Sequence, residues 1–290
     1  MILVSGATGL IGGLVIDRLV EQGLAVRAIS RHPEQAQLPA TVQVLAADLG
    51  DPTSLQPALD GVEQIFAASS GNVTEHDRNL AEAARRAGVR HVVKLSVVGA
   101  QDRAHALRTP ARMHLEGEQA FQQDGLEWSF LRPGTFMSNA LGWADSIRAE
   151  SVVHTPFARV VAAPIDPADV AEVAVHCLTG RLPVNTGYPL SGPERLSPAD
   201  QVDQLAAALG RPLKLDEVPD EAVRQKMIGS GLPAELVTGL FDSLEGDDDQ
   251  RPEARVFSTV PDVLGRPATT FADWIDRHLA AFRGERDGGA

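Results

Sequence analysis

The chain has 290 residues, 43% of them hydrophobic and only 4% aromatic, and a formal charge of −13. That length allows one large domain or two modest ones, with a core packed by Val, Leu, Ile and Ala. The acidic balance, with lysine confined to Lys94, Lys214 and Lys226, excludes a phosphate-neutralising nucleic-acid surface. One cysteine, Cys177, excludes an intramolecular disulfide and lies in an apolar helical run that reads as core.

The first apolar run, Met1 to Val4, opens directly into Gly6, Gly9 and Gly12, spaced Gly-x-x-Gly-x-x-Gly. Ile11, Leu14, Val15 and Leu19 then recur on one helical face, and Gly23 is placed to stop the helix. Strand, glycine turn and helix present backbone N–H groups to a phosphate, and glycine admits both positive φ and close approach of a pyrophosphate. The stretch from Gly6 through Thr8, Gly9, Leu10, Ile11 and Gly12 therefore reads as a dinucleotide turn. Leu24 to Ser30 reads as the second strand. Ser30-Arg31-His32 stands where an acid would bind ribose hydroxyls, and Arg31 can pair with a 2′-phosphate that an acid would repel. NADP(H) is the expected cofactor.

Further strands are expected at Val42 to Ala47, Gln64 to Ala68, His91 to Ser96 and Glu127 to Arg132. Asp51-Pro52 starts one intervening helix, and another runs from about Asp77 to Ala87, closed by Gly88. This alternation predicts an α/β fold with a doubly wound parallel sheet, its ligands beyond the carboxyl ends of the strands. Asp48, Leu49, Ala68, Ser69, Leu95 and Pro133 join the cofactor candidates on that ground. Asp166-Pro167 and Ser197-Pro198 start later helices, the first returning to the sheet. Phe271, Trp274, Ile275 and Leu279 mark a final amphipathic helix. The expected division is a cofactor domain at 1–134 plus about 160–192, a smaller, mostly helical substrate lobe at 135–159 and 193–282, and a disordered tail at 283–290. Glu245 to Asp249 reads as a solvated acidic turn.

Gly6-Ala7-Thr8-Gly9-Leu10-Ile11-Gly12, Ala87 to Ser96, Gly125 to Gly134, Pro164 to Ala171 and Leu190 to Glu194 together resemble the NmrA-like branch of the atypical short-chain dehydrogenase/reductases. That branch includes NADP-dependent quinone reductases and a triphenylmethane-dye reductase. The resemblance runs from Met1 to about Phe282 and implies a Rossmann sheet, NADP(H) and a reductase, although the branch also holds redox-sensing regulators. It makes Ser96, at the end of the fifth strand, a catalytic candidate. It also makes Val97, Phe136, Met137, Asn139 and Trp143 a substrate wall, with ordinary core as the other reading of Trp143.

The chain departs from the wider superfamily in one respect. No tyrosine or lysine occurs between Gln101 and Gln123, and the one tyrosine, Tyr188, stands far beyond. His114 and Glu118, spaced to share a helix face, occupy the place of the usual Tyr-x-x-x-Lys pair. His114 is the second catalytic candidate, as a substrate contact or weak acid/base, with Glu118 either orienting it or tying down the sheet; a surface or packing pair is the other reading. Without the tyrosine, reduction of a simple ketone to a basic alkoxide lacks its proton donor. A quinone or enone, whose product anion is delocalised, needs only a hydrogen bond. The expected reaction is hydride transfer from NADPH to a conjugated, electron-poor small molecule. A cofactor-sensing regulator and an isomerase or cyclase that retains its cofactor are the alternatives.

No zinc motif, nucleophile elbow or Walker loop is present. The first strand begins at Met1 and no apolar stretch reaches ~20 residues, so we expect no leader, no membrane span and a cytoplasmic protein. A small molecule is the expected partner, with a second copy of the chain as a candidate.

Overall fold

Ile2–Val4 (β1) is buried throughout and leads through the glycine turn into Leu10–Glu21 (α1). The computed structural model describes residues 1–102, 106, 111–123, 125–244 and 247–283. Residues 284–290 of the expected tail, and the first two residues of the acidic turn, lie outside the described residues.

Val26–Ser30 (β2), Gln43–Ala46 (β3), Gln64–Ala67 (β4), His91–Leu95 (β5) and Glu127–Pro133 (β6) follow. Val152–Thr155 (β7), Thr186–Leu190 (β8) and Lys214–Glu217 (β9) complete the strands among the described residues. Seven of them form one parallel sheet in the order β3-β2-β1-β4-β5-β6-β8. The chain winds outward from β1 to β3, then restarts beside β1 at β4, leaving a crevice at the carboxyl ends where the order reverses. The expected doubly wound sheet is therefore present. It gains β8, which sequence reading passes over because Gly187 and Pro189 interrupt it. An edge strand tolerates proline, since its outward N–H has no ladder partner to lose.

One face of the sheet carries Pro52–Ala58 (α2), Val73–Ala87 (α3) and Ala111–Phe121 (α4), packed through Leu55, Leu80, Ala84 and Phe121. On the other face α1 lies against Pro167–Leu178 (α6), where Val15, Ile16, Val170 and Ala174 are fully buried. Between β6 and β7 lies Ala144–Glu150 (α5). The expected caps form. Asp51, Asp166 and Ser197 accept from the N–H groups of Thr53, Ala168 and Asp200, and Gly88 closes α3 at φ +72°. Helix α3 starts earlier than expected, because the Asn72 side chain caps it at Glu75.

A third cluster joins Met137, Ile147, Val153, Leu205, Phe271 and Trp274. It is built from α5, β7, Pro198–Leu209 (α7) and the terminal helix. Strands β7 and β9 pair as a small separate sheet, followed by Asp220–Gly229 (α8) and Ala234–Leu244 (α9). Thr259–Leu264 (α10) packs on α6 and β8, on the sheet side rather than with the helices that precede it. Phe271–Phe282 (α11) closes the described chain against α7 and α5. None of the described helices is long and apolar enough to cross a membrane.

Candidate functional site

The glycine turn is shaped by contacts that no other residue could make. Gly6 sits at φ +62°, and a Cβ there would stand 2.9 Å from both Cβ and the carbonyl oxygen of Ala68. A Cβ on Gly12 would collide with the Gly6 carbonyl, so α1 can approach the turn only because Gly12 has none. The Gly9 N–H closes the turn onto the Gly6 carbonyl at 3.0 Å. Ser5 binds the end of β4 to it, accepting from Ala68 N–H at 2.9 Å and donating to Ala68 O at 3.1 Å. Gly9 caps α1 without a side-chain hydrogen bond, so no side chain satisfies the first N–H groups of that helix.

A cleft of about 690 Å³ opens over this turn. The expected residues Gly6, Thr8, Arg31, Asp48, Leu49 and Ala68 all line it. Also on its wall are Ser30, His32, Gly50, Ser70, Gly71 and His76, which sequence reading misses. Ser30 and His32 flank Arg31 at the end of β2, and the others lie on the loops after β3 and β4 or on α3, where no spacing rule marks them. Leu10 is 55% exposed at the first helical position, while Ile11 and Gly12 turn inward. A cradle shaped by missing Cβ atoms, a bare helix N-terminus and a guanidinium at the rim fit a phosphorylated dinucleotide.

Two expected cofactor residues serve other contacts. The Ser69 hydroxyl donates to Asp77 Oδ1 at 2.6 Å, and Pro133 is buried, its carbonyl accepting from Val98 N–H at 2.9 Å. Leu95 is half-buried and packs on the core beneath the crevice.

Beyond β5 and β6 lies a buried polar network. The Ser96 hydroxyl donates to Glu118 Oε1 at 2.6 Å, and Arg132 grips both oxygens of that carboxylate at 2.8 and 2.6 Å. Ser96 and Glu118 are each 2% exposed. Ser96, a catalytic candidate by resemblance, gives its proton to Glu118 here, because a buried carboxylate needs every donor within reach. Glu118 accordingly bonds Ser96 at the end of β5 and Arg132 on β6, which agrees with the reading that it ties down the sheet rather than orients His114.

His114, one turn earlier on α4, has its Nδ1 buried without a hydrogen-bond partner. Burial, reinforced by the nearby Lys94 ammonium, pushes its imidazole down to about 3, so the ring is neutral at physiological pH. An orphan lone pair costs less than an orphan N–H, so we assign the proton to Nε2.

The expected substrate wall divides. Val97 and Phe136 are half-buried at the ends of β5 and β6, and Asn139 is exposed on the turn Met137–Trp143. Met137 is 1% exposed within the third cluster and is core, because its thioether fills the space above Gly192. Trp143 packs half-buried against the same cluster. Tyr188 donates to Pro183 O at 2.5 Å, and burial pushes its phenol up to about 12; it is a packing residue. Cys177 is buried as expected, its thiol pushed up to about 12 by burial.

A family model described as NAD(P)H-binding matches residues 6–181. Over 98% of its length the chain is 40% identical to all of the (4-alkanoyl-5-oxo-2,5-dihydrofuran-3-yl)methyl phosphate reductase of Streptomyces griseus. It is 37% identical to an NAD(P)H azoreductase of Xenophilus azovorans, covering 97% of this chain and 99% of that protein. Among solved structures, the NADPH-dependent quinone oxidoreductase of Escherichia coli in complex with NADPH superposes with a TM-score of 0.80 at 26% identity, over 96% of this chain and 100% of the other.

Proposed function

The chain belongs to the NAD(P)H-binding family, in the NmrA-like branch of the atypical short-chain dehydrogenase/reductases, and from that premise we propose that it reduces a conjugated, electron-poor small molecule with NADPH. One observation carries the choice of acceptor. The helix that would supply a tyrosine and a lysine supplies His114 and Glu118, and the single tyrosine is tied to a backbone carbonyl elsewhere. The similar proteins named above are reductases of a furanone, of azo compounds and of quinones, all electron-poor acceptors.

NADPH, when bound, makes a hydride available at the carboxyl end of the sheet. The glycine turn would hold the pyrophosphate with backbone N–H groups, and Arg31 would favour the 2′-phosphate over a bare ribose. Ser96, Glu118 and Arg132 hold the ends of β5 and β6 in register beneath the acceptor, with Val97, Phe136, Asn139 and Trp143 around it. The acceptor gains a hydride and then a proton. His114 is neutral and cannot act as an imidazolium acid, so its N–H stabilises the developing phenolate or enolate and water delivers the proton. A delocalised anion tolerates that arrangement; an alkoxide does not. The two-lobed division at about residues 134, 160 and 192 belongs to this reading, as do a cytoplasmic setting and a homodimer.

The test is NADPH oxidation against quinones, enones, azo dyes and unconjugated ketones, with wild type and His114→Leu. We expect turnover with conjugated acceptors only, and a loss of about 10–100-fold in kcat for the variant at unchanged NADPH Kd. Preference for plain ketones would overturn the acceptor argument. Silence across the panel with tight NADPH binding would favour a cofactor sensor.

A further inference from the structure

Helices α3 and α4 pack side by side, with a buried carboxylate between them. Thr74 donates to Glu116 Oε2 at 2.9 Å near the start of α3, and Arg85 donates to the Ala120 carbonyl at 3.0 Å near its end. Between these two contacts the wholly buried Asp77 meets Gly117. A Cβ on Gly117 would lie 3.0 Å from Asp77 Cγ and closer still to Oδ2. The carboxylate cannot swing aside, because Ser69 holds Oδ1 and Lys94 holds Oδ2. Asp77 and the missing side chain of Gly117 therefore set the distance between the two helices.

Both ends of that contact lead to the site. Ser69 belongs to the loop after β4, whose Ala68, Ser70 and Gly71 line the cofactor cleft. Lys94 stands on β5, two residues before Ser96. His114 lies three residues before Gly117 on α4, nearly one helical turn, and moves with it. We propose that Asp77 is a positioning residue: through Gly117 it fixes how far His114 stands from the cofactor cleft, and through Ser69 it holds the wall of that cleft to the same point. This role rests on the reductase reading, in which His114 meets the acceptor. Asp77 has no exposed surface and acts only through its neighbours. Hydride transfer is sensitive to such spacing, since a misplacement of about 1 Å can cost on the order of 100-fold.

The experiment places Gly117→Ala in two backgrounds, wild type and Asp77→Ala/Lys94→Met. The second removes the obstructing carboxylate without stranding the lysine charge. Alanine at position 77 leaves only its Cβ, 3.2 Å from the new methyl, a contact relieved by a small shift. Kinetics with NADPH and a quinone give kcat, and calorimetry gives the NADPH Kd. Proton NMR follows the His114 ring signal, assigned by its loss in His114→Leu. With Asp77 present, Gly117→Ala should lower kcat about tenfold or more and shift the ring signal, with NADPH Kd within about threefold of wild type. Without Asp77, the same substitution should change kcat by less than about threefold and leave the ring signal in place. Added to His114→Leu, it should also cost less than about threefold, because the ring it displaces is gone. Equal cost in the two Asp77 backgrounds, or an unchanged kcat and ring signal in Gly117→Ala, overturns the proposal. So does an NADPH Kd that weakens in step with kcat, which marks a general loosening of the fold. A wild type that binds NADPH and reduces no acceptor overturns the reductase reading instead, and the ring signal then still decides whether Asp77 sets the place of His114.

Discussion

Lys94 Nζ and Asp77 Oδ2 meet at 2.5 Å, and neither side chain has any exposure. The same carboxylate accepts from Ser69 at 2.6 Å, and Gly117 of α4 clears the space, since a Cβ there would strike Asp77 Oδ2. The pair joins β5 to α3 and ties the loop after β4, one wall of the cofactor cleft, to the sheet. A buried pair gains little net energy when intact, but removing one partner leaves an uncompensated charge. Lys94→Met should therefore cost about 3–5 kcal/mol in urea unfolding, and Lys94→Met with Asp77→Asn should recover much of it. A single variant as stable as wild type would show that the pair is dispensable.

Arg31 is exposed at the rim of the cleft beside His32. Arg31→Glu replaces a 2′-phosphate partner by a like charge and should weaken NADPH on the order of 10–100-fold while leaving NADH affinity nearly unchanged. Calorimetry with both cofactors checks this. Equal weakening of the two would remove Arg31 from the phosphate site.

Gly12→Ala should destabilise the fold by about 1–3 kcal/mol, since α1 must move away from the Gly6 carbonyl. The moved helix would no longer aim its N-terminus at the pyrophosphate. Thermal melts with and without NADPH separate the two effects: the ligand-induced rise in Tm expected for wild type should shrink in the variant.

Two histidines link stability to pH. His114 is held at about 3 by burial and by Lys94, and His91, bonded to Ser129 at 3.0 Å, at about 4 by burial and Arg90. Both lie below the ordinary 6.5, so the unfolded chain takes up protons that the folded chain refuses. Their contribution is full above about 6.5 and is lost as pH falls toward 3–4, about 1 kcal/mol each by pH 5.5. The urea midpoint should fall between pH 7.5 and 5.5, with a shallower slope in His91→Gln/His114→Gln. An unchanged slope would show that these rings are accessible to protons in the folded state.

The cofactor turn was legible in the linear sequence because its physics is local. A strand, three glycines and a helix start within twelve residues determine the φ angles and close contacts that the structure displays. The caps at Asp51, Asp166 and Ser197 were legible for the same reason, since each bonds an N–H two or three residues away. The place of Arg31 on the cleft wall was legible because the end of the second strand has a defined position in a doubly wound sheet.

Tertiary structure decided what depends on partners far apart in the chain. The direction of the Ser96 proton was set only when Glu118, 22 residues later, and Arg132, on the next strand, came into place around it. Met137 read as a wall residue until helices from the last third of the chain closed over it. Backbone turns and caps are encoded by neighbours, whereas the direction of a buried proton is set by whichever acceptor the fold delivers, and no local spacing records that.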